Sequence, residues 1–316
     1  MRSNKLYLVV PCYNEEEVLP ETSRRLLEKL RSLIETGKAD PKSRILFVDD
    51  GSKDRTWELI AGYHQENPQI SGLKLSRNKG HQNALLAGLT HAKEQCDMAI
   101  SLDADLQDDI EVIDQFVDRY LDGCDIVYGV RSARDTDTTF KRTTAVGFYR
   151  VMKALGVDIV ENHADYRLMS KRALEALSQF SETNLFLRGI VPLIGFKTSI
   201  VTYERHERLA GTSKYPLKKM LAFAFDGITS FSVKPIRMIT SLGVMMAVVS
   251  FICMVVFWIM RLCGYYSIGW GNVIAPIWLV GGINMVALGL VGEYIGKIYA
   301  EVKRRPMYIV DTILDE

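Results

Sequence analysis

The chain has 316 residues, 48% of them hydrophobic, and a formal net charge of +1. That length accommodates one large domain or two small ones, and the near-neutral balance provides no field for nucleic acid. The five cysteines, Cys12, Cys96, Cys124, Cys253 and Cys263, are odd in number and lack C-x-x-C spacing, which argues against a disulfide framework or a zinc site and fits a reducing cytosol.

Lys5 to Val10 is a short apolar run stopped by Pro11; it reads as a buried strand and is too short for a signal-peptide core. From Glu15 to Ile34, apolar residues at Val18, Leu19, Leu26, Leu27, Leu30 and Leu33 alternate with charges at helical spacing. Arg44–Val48 predicts a second strand, Trp57–Tyr63 a helix, Ile70–Leu75 a third strand and Asn83–Ala92 a helix. Met98–Leu102 predicts a fourth strand, Val112–Leu121 a helix and Cys124–Tyr128 a fifth strand. Strands alternating with helices predict an α/β domain with a parallel sheet covered on both faces. In such sheets ligands bind beyond the carboxyl ends of the strands.

Four polar clusters follow strand ends: Pro11-Cys12-Tyr13-Asn14-Glu15, Asp49-Asp50-Gly51-Ser52, Ser76-Arg77-Asn78-Lys79-Gly80 and Asp103-Ala104-Asp105-Leu106-Gln107-Asp108. The glycine fingerprints of dinucleotide and P-loop sites are absent. Asp50 can accept from a base or ribose, and Tyr13 can stack on a base; Asp49 to Ser52 also reads as an ordinary turn with a helix cap. Asp103 and Asp105 can converge on one hard divalent cation, with Gln107 and Asp108 adding oxygens, or can form a turn. Mg²⁺ or Mn²⁺ there would neutralise charge on a departing diphosphate.

Arg205 to Tyr215 carries Arg205, Arg208 and Lys214 with Thr212 and Ser213 around Gly211. It reads as a phosphate clamp at a membrane surface, or as a basic segment drawn to anionic lipid. His206 and His81 have no metal-spaced partner. Pro216 to Ser232 has an apolar face at Leu217, Met220, Leu221, Ala224, Ile228 and Phe231, the pattern of an interfacial helix or of one packed on the soluble core.

Pro235 to Met260 carries no charge but Arg237 and as a helix rises about 39 Å; Val273 to Gly292 rises about 30 Å. Both match a hydrocarbon core of roughly 30 Å and predict two membrane spans. Tyr265, Tyr266 and Trp270 fit an aromatic belt between them. Lys218, Lys219 and Lys234 on one flank, with Lys303, Arg304 and Arg305 on the other, predict both chain ends in the cytosol. Gly281, Gly282, Gly289 and Gly292 suit helix packing within the hairpin, oligomer contact or a groove for a polyprenyl chain. The expected organisation is a domain over 1–210, an interfacial segment over 211–233, a hairpin over 234–298 and a cytosolic tail over 299–316.

Six motifs in order resemble the family 2 glycosyltransferases: Pro11 to Glu16, Asp49 to Asp54, Asn78-Lys79-Gly80, Asp103 to Asp108, Asp165-Tyr166-Arg167-Leu168 and Arg208 to Tyr215. With the paired spans and Gly292-Glu293-Tyr294-Ile295-Gly296-Lys297, the chain is similar to the polyprenyl-phosphate members, the bactoprenol glucosyltransferases and dolichol-phosphate mannose synthases. The resemblance implies a GT-A (Rossmann-like) fold, a nucleotide-diphosphate sugar donor, a polyprenyl phosphate acceptor, inversion at the anomeric carbon and a homo-oligomer, a tetramer in such relatives. Pro11, Tyr13, Glu15, Asp50, Asp103 and Gln107 then bind the nucleotide sugar. Asp103, Asp105 and Gln107 organise the metal, and Asp105 and Asp165 are catalytic, Asp165 as base or orienting carboxylate. Arg131, Arg142, Arg208, Ser213 and Lys214 meet the acceptor phosphate. His81 stands where relatives often have Lys. The implied location is the cytoplasmic membrane, multi-pass, with UDP-glucose as the first-choice donor and UDP-GlcNAc or GDP-mannose as alternatives. A non-catalytic nucleotide-sugar-binding scaffold is the reading of another class; the intact Asp103 and Asp105 weigh against it. The absence of Q-x-x-R-W and of further spans weighs against a processive synthase.

Overall fold

The first strand, β1 (Leu6–Cys12), is buried along its whole length. A strand apolar on both faces belongs in the middle of a covered sheet, and β1 pairs in parallel with β2 (Arg44–Asp49) on one side and β4 (Met98–Ser101) on the other. The computed structural model describes residues 4–132, 163–180, 182, 187–204, 234–263 and 271–315. Between β1 and β2 runs α1 (Leu19–Glu35); α2 (Thr56–Glu66) leads to β3 (Ile70–Leu75), which extends the parallel array beside β2. Next come α3 (His81–Lys93), α4 (Ile113–Leu121) and β5 (Ile126–Arg131).

The helices cover both faces. Leu19, Leu26, Leu30 and Leu33 of α1 and Ile113, Phe116 and Val117 of α4 join one core with Leu6, Leu8, Val10, Phe47 and Ile100. On the opposite face, α3 lies so close that a Cβ at Gly88 would sit 2.5 Å from Val9 Cγ1 and 2.6 Å from Val48 Cγ2. Glycine here allows the helix to touch the sheet.

The sheet is mixed, which corrects the expected parallel arrangement. Its order is β7-β5-β6-β4-β1-β2-β3-β8. Strand β6 (His163–Ser170) inserts antiparallel between β4 and β5, and β7 (Thr198–Tyr203) runs parallel to β5. Two short helices, α5 (Lys171–Leu177) and α6 (Leu187–Leu193), lie between them in sequence. Strand β6 escapes a hydropathy reading because it carries Asp165 and Arg167, yet both are buried, at 8% and 1% exposure, because they pair with each other. A buried ion pair looks polar in sequence and belongs to the interior in space.

A second unit holds α7 (Lys234–Leu262) and α8 (Gly271–Lys303), 29 and 33 residues long. These contain the apolar runs expected to span a membrane, and Val244, Met245, Phe251, Trp258, Met285, Val286, Leu288 and Ile295 are exposed on them. Among the residues whose side chains are described, no helix is long and apolar enough to cross a membrane. Among the described residues, a Cβ at Gly281, Gly282, Gly289 or Gly292 would meet nothing within 4 Å. The expected interfacial helix over 216–232 lies outside the described residues.

The end of the chain returns to the sheet. Strand β8 (Val310–Leu314) pairs antiparallel with β3, with Gly72 opposite Leu314 and Lys74 opposite Thr312. Residues 305–316 thus belong to the same compact unit as β1 to β7, where the sequence reading had a separate tail. Asp315 fixes this strand: His91 Nε2 lies 2.7 Å from its carboxylate, Gln95 donates to the same oxygen, and Arg44 donates to its carbonyl. Burial works to raise the Asp315 carboxyl, but the His91 and Gln95 contacts outweigh it and bring it down to about 2.

Candidate active site

The carboxyl ends of β1, β2, β4 and β5 lie at one edge of the sheet, and antiparallel β6 starts there. In the register, Ser101 is opposite Arg167. Two residues beyond each, Asp103 and Asp165 therefore come to the same place, and Ser101 Oγ donates to the Asp165 carbonyl. The topology unites carboxylates 62 positions apart in sequence.

On the β1 and β2 side, the two loops are stitched together. Asn14 N–H donates to Ser52 Oγ at 3.0 Å, Lys53 N–H to Asn14 Oδ1 at 2.9 Å, and Glu15 N–H to Thr56 Oγ1 at 2.9 Å. Pro11 is buried within β1, while Tyr13 and Glu15 are half-buried in the loop. Asp50 is 2% exposed and accepts from Lys79 N–H at 2.7 Å and Gly80 N–H at 2.9 Å, one on each oxygen. Burial pushes its carboxyl up and these hydrogen bonds oppose it. Asp50 is first an organiser of the 76–80 loop; only its remaining lone pairs can serve a nucleotide. Gly51, at φ +66°, lets that loop approach, since a Cβ would meet the Arg77 and Asn78 backbone at 2.6 Å.

On the β4 side, Asp105 Oδ1 accepts from Gln107 N–H at 3.2 Å, and Gln107 and Asp108 are buried. His81, the first residue of α3, puts Nε2 3.5 Å from Asp103 Oδ1 and 3.9 Å from Asp165 Oδ2. Desolvation, together with the charges of Asp108, Asp165 and Asp105, pushes the Asp103 carboxyl up, with His81 opposing. Among the described residues, no group of three or more His, Cys, Asp or Glu side chains forms a ready metal cage. Crowded carboxylates of this oxygen-donor type still fit Mg²⁺ or Mn²⁺, which commonly take one or two carboxylates and draw the other ligands from substrate phosphates and water.

Asp165 is clamped. Oδ1 accepts from Arg167 Nη2 and, at 3.3 Å, from Arg188 Nε; Oδ2 accepts from Arg188 Nη2 at 3.1 Å. Burial would raise this carboxyl, but Arg188, Arg167 and His81 hold it well below the usual carboxylate range. Such a group is a weak base. Arg131, the last residue of β5, is tied in a similar way: Nη2 lies 3.2 Å from Asp108 Oδ1 and Nε 3.2 Å from Tyr203 Oη. Tyr203 donates to Asp108 Oδ1 at 2.5 Å, and burial with Asp108 pushes its phenol up.

Of the residues expected from sequence, Asp103, Asp105, Gln107, Asp165 and Arg131 come to one edge of the sheet, with Pro11, Tyr13, Glu15 and Asp50 on the loops beside them. Arg142, Arg208, Ser213, Lys214 and His206 lie outside the described residues. Sequence reasoning passed over Arg188 and Tyr203. A lone Arg among Leu187, Ile190 and Val191 was the available signal for the first; nothing in the sequence marked the second.

The comparisons agree with this geometry. The family described as Glycosyl transferase family 2 matches residues 7–178. The uncharacterized glycosyltransferase YkoT of Bacillus subtilis (strain 168) is 57% identical over 98% of this chain and 92% of its own length. The prophage bactoprenol glucosyl transferase homolog of Escherichia coli (strain K12) is 40% identical over 98% of this chain and 99% of its own. The SfII prophage-derived bactoprenol glucosyl transferase of Shigella flexneri is 40% identical over 97% of both. A GT-A sheet with its acidic motif at the end of β4, matched along nearly its full length by such relatives, makes this chain a glycosyltransferase, a member of glycosyl transferase family 2.

Proposed function

We propose that the protein transfers a hexose, glucose from UDP-glucose, to undecaprenyl or another polyprenyl phosphate with inversion at the anomeric carbon. Relatives named bactoprenol glucosyl transferase, 40% identical over nearly the whole chain, support the donor and the lipid. The observation that carries the acceptor assignment is the clamp on Asp165. A carboxylate held ionised by two guanidiniums is poorly suited to take a proton from a sugar hydroxyl. A lipid monophosphate needs no such base, because its second pKa is near 6 and it is largely dianionic at neutral pH.

In this reading a phosphate oxygen of the lipid attacks the anomeric carbon from the face opposite the diphosphate. The anomeric C–O bond to the diphosphate breaks, UDP departs, and no proton has to move. Tyr13, Glu15, Asp50 and Pro11 hold the nucleotide, and Asp103, Asp105 and Gln107 hold Mg²⁺ or Mn²⁺. When bound, that ion supplies positive charge to the departing diphosphate. Asp165 orients the sugar and stabilises positive charge at the anomeric centre, and Arg131, Arg142, Arg208, Ser213 and Lys214 receive the lipid phosphate.

The protein acts at the cytoplasmic membrane, with α7 and α8 as two spans, an interfacial segment before them and a homo-oligomeric assembly. Chain connectivity supports an even number of crossings: the chain leaves the catalytic unit before α7 and rejoins its sheet as β8 after α8. Radiolabelled UDP-glucose, UDP-GlcNAc and GDP-mannose, each incubated with undecaprenyl phosphate and followed by lipid extraction, test the reaction. Label entering the lipid from UDP-glucose, and released by mild acid, is expected; no label from any donor rejects it.

A further inference from the structure

We propose that two buried hydroxyls, on Thr22 of α1 and Tyr166 of β6, are positioning groups that pin the acidic loop after β4 near its two ends and so hold Asp103 and Asp105 together for a divalent cation. Thr22 Oγ1 donates to the Ala104 carbonyl at 2.7 Å, and Tyr166 Oη donates to the Asp109 carbonyl at 2.9 Å. Both residues are withdrawn from solvent, at 0% and 1% exposure. A threonine inside a helix commonly bonds back to the carbonyl four residues earlier. Thr22 Oγ1 does lie 3.1 Å from the Val18 carbonyl. A hydroxyl has one proton, however, and Ala104, 82 positions away in sequence, is the nearer acceptor.

The loop between these pins is strained. Leu106 has φ +53°, in the left-handed region that is costly for a residue with a Cβ. Such a conformation persists only where the surroundings over-determine it. Leu102, Ala104 and Leu106 are buried in the core that α1 shares, and they alternate with half-exposed Asp103 and Asp105. The hydroxyls then hold the backbone two residues before Leu106 and three residues after it. Without them the turn relaxes through Leu106 and carries Asp105 away from Asp103. The Gln107 N–H, which donates to Asp105 Oδ1 at 3.2 Å, sits inside that turn and reports on it.

Each pin comes from an element that serves another part of the site. The loop entering α1 carries Tyr13 and Glu15, and the Glu15 carbonyl accepts from the Val18 and Leu19 N–H groups at the start of the helix. Thr22 thus ties the nucleotide side to the acidic loop, and Tyr166 ties that loop to the strand of Asp165. The Tyr166 ring is itself fixed, 4.7 Å from Phe116 and 5.3 Å from Tyr203 between centroids. That Asp103 and Asp105 hold the ion rests on the transferase reading above; the pinning of the loop does not.

The test uses the full-length protein in detergent and the variants Thr22→Val, Thr22→Ser and Tyr166→Phe. Valine keeps the shape and loses the hydroxyl, serine keeps the hydroxyl, and phenylalanine keeps the ring. Calorimetry with UDP at increasing Mn²⁺ reads the ion. Hydrogen exchange of amides 103–109 without metal reads the loop. Thr22→Val and Tyr166→Phe are expected to bind Mn²⁺ about three- to tenfold more weakly, the worth of one hydrogen bond, and to exchange faster over 103–109. Thr22→Ser should stay close to the wild type in both. Unchanged Mn²⁺ binding in either folded variant overturns the proposal, whatever its melting temperature, because the hydroxyl then only stabilises the fold. Thr22→Ser as impaired as Thr22→Val overturns it too. Tyr166→Phe keeps the proposal open to rejection even where Thr22→Val does not fold. A wild type whose UDP binding ignores Mn²⁺ rejects Asp103 and Asp105 as ligands of the ion, and exchange alone then decides whether the hydroxyls pin the loop.

Discussion

Arg188 meets Asp165 as a fork, Nε 3.3 Å from Oδ1 and Nη2 3.1 Å from Oδ2. With Arg167 on Oδ1 as well, Arg188 and Arg167 hold the carboxyl well below the usual carboxylate range against the effect of burial. The sign follows: Asp165 stays ionised above pH 4, so no limb of a rate profile near neutrality belongs to it. In the wild type, transfer is expected to rise with pH through about 6, as the lipid phosphate loses its second proton. Asp165→Asn is expected to lower the rate and keep that limb. Loss of the limb in the variant would restore the general-base role. Because Arg167 is 1% exposed, the variant should also melt earlier, breaking a buried pair costing about 3–5 kcal/mol at most.

The paired Asp103 and Asp105 lead to a second expectation. Asp105→Asn should abolish transfer and weaken Mg²⁺-dependent binding of UDP-glucose, since an amide does not supply the anionic oxygen a hard cation prefers. Full turnover with unchanged metal dependence would remove Asp105 from the metal site.

Gly88 tests the fold away from the chemistry. Gly88→Ala places a methyl 2.5 Å from Val9 Cγ1 and 2.6 Å from Val48 Cγ2, both on central strands. Overpacking of this kind costs about 1–3 kcal/mol, while alanine's better helix propensity returns less than about 1 kcal/mol. The melting temperature should therefore fall. An unchanged or raised value would mean that α3 can shift away from the sheet.

The alternation of strands and helices made β1 to β5 legible, because parallel strands buried on both faces are continuous apolar runs. The four loop clusters were legible for the same reason: they begin where those runs stop. Strand β6 was not, since Asp165 and Arg167 satisfy each other only once folded. Strand β8, Val310-Asp311-Thr312-Ile313-Leu314, shows no alternation of apolar and polar residues and was further hidden by its place after a long apolar helix. Arg188 left only its odd place in an apolar run and Tyr203 left no mark, because their partners, Asp165 and Asp108, lie 23 and 95 residues away. No local pattern encodes such pairs.

The return of β8 to the catalytic sheet sharpens the topology expectation. If α7 and α8 are two spans, both flanks lie on one side, as the basic residues around them also indicate. A periplasm-active reporter fused to the C-terminus should be silent and a cytosol-active one should report. Strong periplasmic activity would reject the paired spans or their orientation.

Asp315 gives the last prediction. Its carboxyl, ordinarily near 3.8, is drawn down to about 2 by His91 and Gln95 against burial. A depressed carboxyl stabilises the fold above its unfolded value and loses that contribution as pH falls towards its folded value. The latch on β8 is therefore complete above about pH 4 and weakens between about 4 and 2. At neutral pH, Asp315→Asn should reproduce that loss, worth about 1 kcal/mol once solvent screening is allowed for. Because β8 is an edge strand whose one neighbour in the sheet is β3, the loss should appear locally before the domain melts. Hydrogen exchange of amides 310–314 is expected to speed up severalfold in the variant, with β1 and β2 unchanged. Equal protection of β8 in both proteins would show that the β3 ladder alone holds the strand.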